Sequence, residues 1–502
     1  MDITVNLDGK ILKAKKGCLL SEVLSLHAET DMPCGGHGKC GKCRVFANGD
    51  ISEPSENERA LLGEEALNCG IRLACLTRAL GDCAVVTTKR AESRILTDGE
   101  MPDFQVIPTF SRYGVAIDIG TTTLAARLFD VSGGCLSDAS MPNPQSRFGA
   151  DVISRMESAL KGNARAISKI TVNAIDDLII ELCDFSGIDT DEIDGLVITG
   201  NTVMLHLLTM TDVFPLTRAP FEAKRLFDET ISAKELSLKS IKSDVEVYFP
   251  ACIAAFIGAD TTCAMLAASL SASKENELLC DIGTNGEIVL STDGKTFACS
   301  TAAGPAFEGA GISMGMAGKV GAIDHVTLVN GALYAHVIGN EKPIGICGSG
   351  IVDAISCLLM TGELDETGRL EDGDAVISDG VVLTQEDIRK IQLAKSAIHA
   401  GIRTLIHASN IDISEIGSLI IAGGFGSYLD SRSAVNIGLL PYELKDKIRV
   451  IGNAALSGAS MLLLNRTLRE KTAELVREVT VTELSGNPLF ADEYMERMMF
   501  EY

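Results

Sequence analysis

Three thiols stand close together in Cys34-Gly-Gly-His-Gly-Lys-Cys40-Gly-Lys-Cys43, and a fourth follows in Arg72-Leu-Ala-Cys75. Four thiolates are what a 2Fe-2S cluster requires, and the plant-type spacing is C-x4-C-x2-C with a distant fourth cysteine. Here the first gap is five residues and the second is two. A loop that wraps an anionic cluster turns its N–H groups inward, which calls for left-handed backbone and no side chains in the way. Gly35, Gly36, Gly38 and Gly41 supply that freedom. Cys40-x2-Cys43 alone would serve as half of a structural zinc site, but zinc sites usually pair two close doublets, whereas Cys75 stands 32 positions beyond Cys43. The spacing therefore favours iron-sulfur. His37 is the one histidine in the loop, whereas Rieske ligation takes two, so it reads as a solvated residue. Cys69 competes with Cys75 as fourth ligand, and the apolar run into Cys75, read as a strand returning to the loop, favours Cys75.

A second set of residues points to phosphate chemistry. Tyr113 to Asp118 is a buried-strand pattern that runs into Asp118-Ile-Gly-Thr-Thr-Thr123, after which a strand resumes. Glu277 to Asp281 runs likewise into Asp281-Ile-Gly-Thr-Asn-Gly-Glu287 and a strand from Ile288. Two such units, roughly 160 residues apart, indicate an internal duplication in which each half supplies one phosphate-binding hairpin. Gly120 and Gly283 let the backbone approach phosphate oxygens, threonine hydroxyls and N–H groups donate to them, and Asp118 and Asp281 can hold a hydrated Mg²⁺ between the hairpins.

The elements that must carry these residues can be read around them. Ile3, Val5 and Leu7 alternate as a half-buried strand, Asp8-Gly9 turns it, and Ile11 to Lys15 return. A short helix is expected from Leu19 to Ala28, with strands at Arg44 to Ala47 and Cys83 to Thr88. Ala91 to Arg112 mixes proline, glycine and charge without a period and reads as a linker; free, it would reach about 70 Å fully stretched, the alternative being a linker packed on its neighbours. The chain of 502 residues exceeds the size of a single core, so several domains are expected: a cluster domain over 1–90, the linker over 91–112, and two halves over 113–275 and 276–502.

Composition narrows the partners and compartment. A formal charge of −24 argues against nucleic acid and anionic membrane surfaces. No signal pattern precedes Asp2-Ile-Thr-Val and no apolar run is long enough to span a bilayer, so a cytoplasmic location is expected. In that compartment 15 cysteines imply metal ligands and buried thiols, not disulfides.

The cysteine loop and its flanking elements resemble the ferredoxin β-grasp fold, with a first gap closer to the adrenodoxin-type subgroup. The two hairpins resemble the phosphate-1 and phosphate-2 motifs of the actin, sugar kinase and Hsp70 ATPase superfamily. Ala422-Gly423-Gly424 is similar to its adenosine motif, and Gly200-Asn-Thr202 and Gly345-Ile-Cys-Gly348-Ser-Gly350 to its hinge elements. A ferredoxin domain ahead of this fold is the layout of the reductive activators of corrinoid-dependent enzymes. Asn143-Pro-Gln145, Ala303-Gly-Pro-Ala-Phe-Glu308-Gly309 and Gly311-Ile-Ser-Met-Gly315 also resemble that family. Better-known members carry a further domain between the two parts, where here only residues 91–112 fit.

The resemblance implies an α+β multidomain chain: an N-terminal β-grasp 2Fe-2S domain followed by a duplicated α/β actin-like ATPase. It implies ATP-dependent reduction of a corrinoid protein from Co(II) to Co(I), in support of methyl transfer under anaerobic conditions. The implied cofactors are the cluster on Cys34, Cys40, Cys43 and Cys75, ATP and Mg²⁺; the implied partners are the Co(II) corrinoid protein, an electron donor and a second copy as a homodimer. Asp118 and Asp281 are expected to position Mg²⁺ and water. Gly120, Thr121, Thr122, Thr123, Gly283, Thr284, Asn285 and Gly286 are expected at phosphate, with Gly348, Gly423 and Gly424 at nucleotide. Glu287 is a candidate to polarise the attacking water, the alternative being an exposed strand carboxylate. Glu308 is a candidate contact to nucleotide or partner, the alternative being a structural turn, and Arg147, Phe148 and Asp151 carry no assignment. Three other readings stay open: a cluster-regulated small-molecule kinase, a dehydratase-activating ATPase and a non-enzymatic redox sensor.

Overall fold

The computed structural model describes residues 2–7, 10–27, 36–39, 41, 43–68, 70–87, 99–270, 275–371 and 373–500. Cys34, Cys40, Cys69 and the Asp8-Gly9 turn lie outside these residues. The chain divides into two compact units, Met1–Ala91 with Asn143–Thr171, and Glu92–Pro142 with Val172–Tyr502. The Asn143-Pro-Gln145 stretch, expected within the first ATPase half, thus groups with the cluster domain.

In the first unit, Asp2–Leu7 pairs antiparallel with Lys10–Lys15 and parallel with Ala79–Thr87. Ala79–Thr87 also pairs antiparallel with Arg44–Ile51, which pairs in turn with Ile71–Leu73. The alternation of Ile3, Val5 and Leu7 puts these side chains in a core with Leu20, Val23 and Leu24 of the helix Leu20–His27. A mixed sheet covered by one helix agrees with the expected β-grasp.

A second helix, Glu56–Asn68, was not expected from the sequence. It carries the fully buried Glu58, whose carboxylate accepts from Arg72 Nε (3.1 Å) and Nη2 (3.0 Å), from the Leu73 N–H (2.7 Å) and from Thr77 Oγ1 (3.0 Å). All four donors belong to the hairpin segment that presents Cys75. Burial alone would raise the Glu58 carboxyl, but the Arg72 guanidinium and the Leu73 N–H outweigh it and hold it below the usual range.

In the second unit two six-stranded sheets repeat one plan. The first runs Glu229–Ser232, Glu246–Phe249, Ile193–Gly200, Tyr113–Ile119, Thr123–Asp130, Cys135–Pro142, and the second Ile448–Val450, Ile416–Ala422, Asn276–Ile282, Gly286–Thr292, Lys295–Thr301, Val479–Val481. Each contains a three-stranded antiparallel meander whose first strand pairs parallel with the next strand inward. This agrees with the duplication inferred from the Asp-x-Gly-Thr repeat. The helices Ala259–Ala267 and Ala454–Leu464 pack together so closely that a Cβ on Gly458 would lie 2.0 Å from the Cys263 carbonyl oxygen. Among the described residues no helix is long and apolar enough to cross a membrane.

Part of the stretch read as a linker is docked on this second unit, which favours the packed alternative over a free tether. The Glu100 N–H donates to Ile451 O, the Ile107 N–H to Leu464 O and the Thr109 N–H to Leu463 O, and Phe110 is buried among Phe129, Val197 and Leu463. Its irregular composition hid a segment held by main-chain bonds, which need no sequence period. Residues 99–112 cannot extend without breaking those bonds, and residues 88–98 lie outside the described set.

Removing the Glu58 charge leaves Arg72 buried and unpaired, a loss of about 3 kcal/mol in typical proteins. Glu58→Gln is expected to destabilise the first unit by that order in denaturant unfolding and to speed amide exchange over residues 71–77. Because the folded pKa is depressed, the wild-type contribution is present above the unfolded value of about 4.3 and is lost as pH falls through the folded one. The gap between wild type and variant should therefore close below about pH 4; a pH-independent gap would contradict the ion pair.

Candidate functional site

Cys43 immediately precedes the strand Arg44–Ile51, and Cys75 lies in the turn after Ile71–Leu73. Since Arg44 pairs with Leu73, the antiparallel register brings both cysteines to one end of the ladder. The Ala74 N–H donates to Cys43 O (2.9 Å), and the two sulfurs stand 3.2 Å apart, both buried. That separation is far beyond a disulfide bond of about 2.05 Å. It leaves two thiols converging on one point, as shared ligation by a cluster requires. Gly36, Gly38 and Gly41 all have positive φ (82°, 67° and 65°), and Asn57 Nδ2 donates to Gly38 O at 2.7 Å, tying the loop to the Glu56–Asn68 helix. The donor types, their burial and the left-handed glycines fit a thiolate-bound cluster, with Cys34 and Cys40 outside the described residues. His37 is exposed, as expected.

The second site lies within the second unit, in a cleft of about 300 Å³ between the two Asp-x-Gly-Thr hairpins. Strand register explains its composition. Asp281 pairs with Glu287 across the antiparallel ladder and with Ala422 across the parallel one. Cross-strand partners project from the same face, so Asp281 and Glu287 both look into the cleft. The next residue after Ala422 is Gly423, which has φ 91° and would place a Cβ 2.3 Å from Asp281 Oδ1. Glycine is required here by conformation and by space. In the first sheet Asp118 pairs with Thr199 and with Ala125, so only the second half of the repeat carries a paired carboxylate.

Asp118, Gly120, Thr121, Thr122, Thr123, Asp281, Gly283, Thr284, Asn285, Glu287, Glu308, Gly348, Gly423 and Gly424 all line this cleft. Gly286 does not: it sits in its strand, where a Cβ would fall 2.8 Å from Thr301 Oγ1, so its smallness serves sheet packing. Glu287 is half-buried in the cleft wall, which corrects the alternative of an exposed strand carboxylate. Sequence reasoning missed Asp260, which enters from the first turn of the helix Ala259–Ala267, and Asn453, which caps the helix Ala454–Leu464. The signal for Asp260 was a carboxylate two residues after Gly258, whose Cβ position lies 2.4 Å from Asn201 Cα and so admits only glycine.

Six carboxylates line this cleft, and four of them, Asp118, Asp260, Asp281 and Glu287, act on one another without a basic residue among the described residues of the wall. Burial first, then Asp260 and Asp281, push Asp118 well above the usual carboxylate range, against a hydrogen bond from Asn453; its Oδ1 is buried without a partner. Burial and Asp260 push Asp281 up to about 7. Burial, Asp260 and Asp281 likewise raise Glu287, although Ser300 Oγ lies 3.4 Å from it. An all-oxygen set with excess negative charge fits a hard divalent cation. Among the described residues, no three acidic, histidine or cysteine side chains form a ready-made metal shell.

Comparison with known proteins follows the same lines. Residues 275–502 match the model described as the C-terminal domain of RACo, the ASKHA domain, and residues 113–273 match the RACo middle region. The chain belongs to the RACo family. Among RACo relatives, it is 37% identical over 420 residues to the corrinoid activation enzyme RamQ of Eubacterium limosum, covering 77% of this chain and 70% of that one. It is 25% identical over 402 residues to the [Co(II) methylated amine-specific corrinoid protein] reductase of Methanosarcina barkeri, covering 74% of each. A solved RACo-type structure, the reductive activator for corrinoid,iron-sulfur protein, superposes with a TM-score of 0.70 at 27% identity over 99% of this chain and 98% of its own.

The crowded carboxylates generate a pH dependence. A carboxyl raised in the fold contributes stability that is present below its unfolded pKa and is lost as pH rises through the folded value. For Asp281 that window runs from about 4 in the unfolded chain to about 7. The melting temperature of the metal-free protein should fall between pH 5 and pH 8, and Asp281→Asn should flatten that fall. An unchanged slope in the variant would show that Asp281 does not carry the repulsion.

Proposed function

We propose that this protein is an ATP-dependent reductive activator of a corrinoid protein, returning cobalt from Co(II) to Co(I). The observation that carries the reading is the joining, in one RACo chain, of two converging buried thiols and a two-hairpin cleft lined with carboxylates. We assign Cys34, Cys40, Cys43 and Cys75 as ligands of a 2Fe-2S cluster. Bound there, a cluster would supply the single electron the cobalt needs, at around −400 mV for the plant type. Reduction to Co(I) generally runs uphill from such a potential, and a gap on the order of 100 mV would leave only a few per cent reduced without coupling.

The residues of the cleft supply the coupling. Thr121, Thr122, Thr284 and Asn285 donate to phosphate oxygens, with Gly120 and Gly283 giving the backbone access. Asp118, Asp260 and Asp281 would hold a Mg²⁺, whose charge would offset theirs in the presence of nucleotide. Glu287, across the ladder from Asp281, would accept a proton from the attacking water once a cation has offset the charge that keeps its carboxyl protonated. Gly423 and Gly424 let the nucleoside approach the strand end beside Asp281. Closing the cleft changes the affinity for the corrinoid protein, and by reciprocity the corrinoid protein changes the affinity for nucleotide. A kinase of the same fold would need a substrate hydroxyl beside the carboxylates, and phosphate transfer to a metabolite would reveal it.

The deciding experiment mixes reduced protein with a Co(II) corrinoid protein and follows the Co(I) absorption. Co(I) should accumulate with Mg-ATP and stay at a few per cent without it, as expected for a gap near 100 mV. Asp118→Asn and Asp281→Asn should each lower ATP hydrolysis by on the order of a hundredfold while leaving the iron content intact. Cys75→Ser should lose most of the iron. Full reduction by the Asp281 variant without nucleotide, or zinc in place of iron, would contradict the assignment.

A further inference from the structure

Glu308 joins the two hairpins. Its Oε2 accepts from Thr122 Oγ1 at 2.6 Å and its Oε1 from Thr284 Oγ1 at 2.9 Å, so one carboxylate spans the cleft from the first sheet to the second. These are two of the hydroxyls that a nucleotide's phosphates would need. Gly283, at the turn of the second hairpin, would place a Cβ 3.6 Å from the same Oε1, so the carboxylate also lies over the glycine left open for phosphate.

The backbone that carries Glu308 is fixed. The short helical turn Pro305–Glu308 is bracketed by Gly304 and Gly309, both at positive φ (79° and 76°). Phe307 stacks on Phe425 with ring centres 5.1 Å apart and planes 19° apart. Its carbonyl oxygen lies 1.7 Å from where a Cβ on Gly348 would stand, so the turn abuts the start of the helix Gly348–Thr361. Phe425 follows Gly424, so the turn is wedged between the nucleoside end and that helix. Any exchange of Glu308 for another acceptor is thus a rotation of its own side chain, which has three soft torsions, with the turn left in place.

We propose that Glu308 is an internal stand-in for nucleotide phosphate: it clasps the two hairpins when the cleft holds no nucleotide and must leave both threonines for a triphosphate to bind. The inference rests on the nucleotide reading of the cleft given above. Two anions cannot share one pair of hydroxyl donors, and a second negative group beside the carboxylates would add repulsion. A site closed by its own side chain for nine-tenths of the time binds about tenfold more weakly than the open site.

Isothermal titration of the full chain with three probes tests this: Mg-ATP, magnesium tripolyphosphate and adenosine. Glu308→Ala is expected to tighten ATP and tripolyphosphate about tenfold and leave adenosine unchanged. Glu308→Gln should shift the same two probes in the same direction by less, because the amide oxygen can still accept from one threonine and the NH2 donate to the other hydroxyl, while the charge that repels phosphate is gone. If the alanine variant fails to fold, the glutamine variant decides alone. Unchanged or weaker polyphosphate binding, against a wild type that binds ATP, would overturn the stand-in role and leave the nucleotide reading intact. Equal tightening of adenosine would also overturn it, by locating the effect away from phosphate. Absence of ATP binding in wild type and variants alike would overturn the nucleotide reading and this inference together.

Discussion

The second unit depends on an electrostatic conflict that its own residues do not resolve. Asp281 and Glu287 stand directly across a β-ladder, where like charges destabilise, and Asp118 and Asp260 face the same space. The fold tolerates this because the groups stay partly protonated when nothing is bound, as the value of about 7 for Asp281 indicates. On the proposed reading, a cation bound with nucleotide would relieve the repulsion. The same arrangement stores a preference for the loaded state, because part of the free energy of loading is the repulsion removed.

The glycines follow from that conflict. Gly423 exists because Asp281 lies where its Cβ would be, and Gly258 because the Asn201 backbone lies against it, which sets Asp260 at the cleft. The first unit shows the complementary case. Glu58 is a buried carboxylate whose charge is answered by Arg72, a main-chain N–H and a hydroxyl, so it is held ionised and serves to fix the segment bearing Cys75. One chain thus contains a compensated buried charge that builds a site and an uncompensated group that awaits a ligand.

Much of this was legible in the sequence, for reasons that differ by residue. Asp118 and Asp281 could be found because each sits in a local strand-turn-strand signal that occurs twice. Cys43 and Cys75 could be paired because ligand spacing is a property of the chain itself. Asp260 and Asn453 could not, since each enters the cleft through helix packing that no local pattern records. Gly286 was placed at phosphate by its neighbours in the hairpin, yet its Cα faces Thr301, a contact set by the third strand of the meander. The docked run 99–112 reads as linker because main-chain bonds leave no trace in side-chain type. Glu308 was legible as a carboxylate between glycines, but the two threonines it joins lie far from it in sequence.

The central claim is that the carboxylate cleft is relieved by cation and nucleotide acting together. Thermal unfolding of the full chain at pH 8 tests it most directly, with Mg²⁺ alone, ATP with a chelator, and both. Ligand present at a hundred times its dissociation constant stabilises by about 2.7 kcal/mol, so a shift of several degrees is expected for Mg²⁺ with ATP, with each alone giving little. An equal shift with chelated ATP would contradict the account, because the four carboxylates would then have accepted a triphosphate with no cation between them.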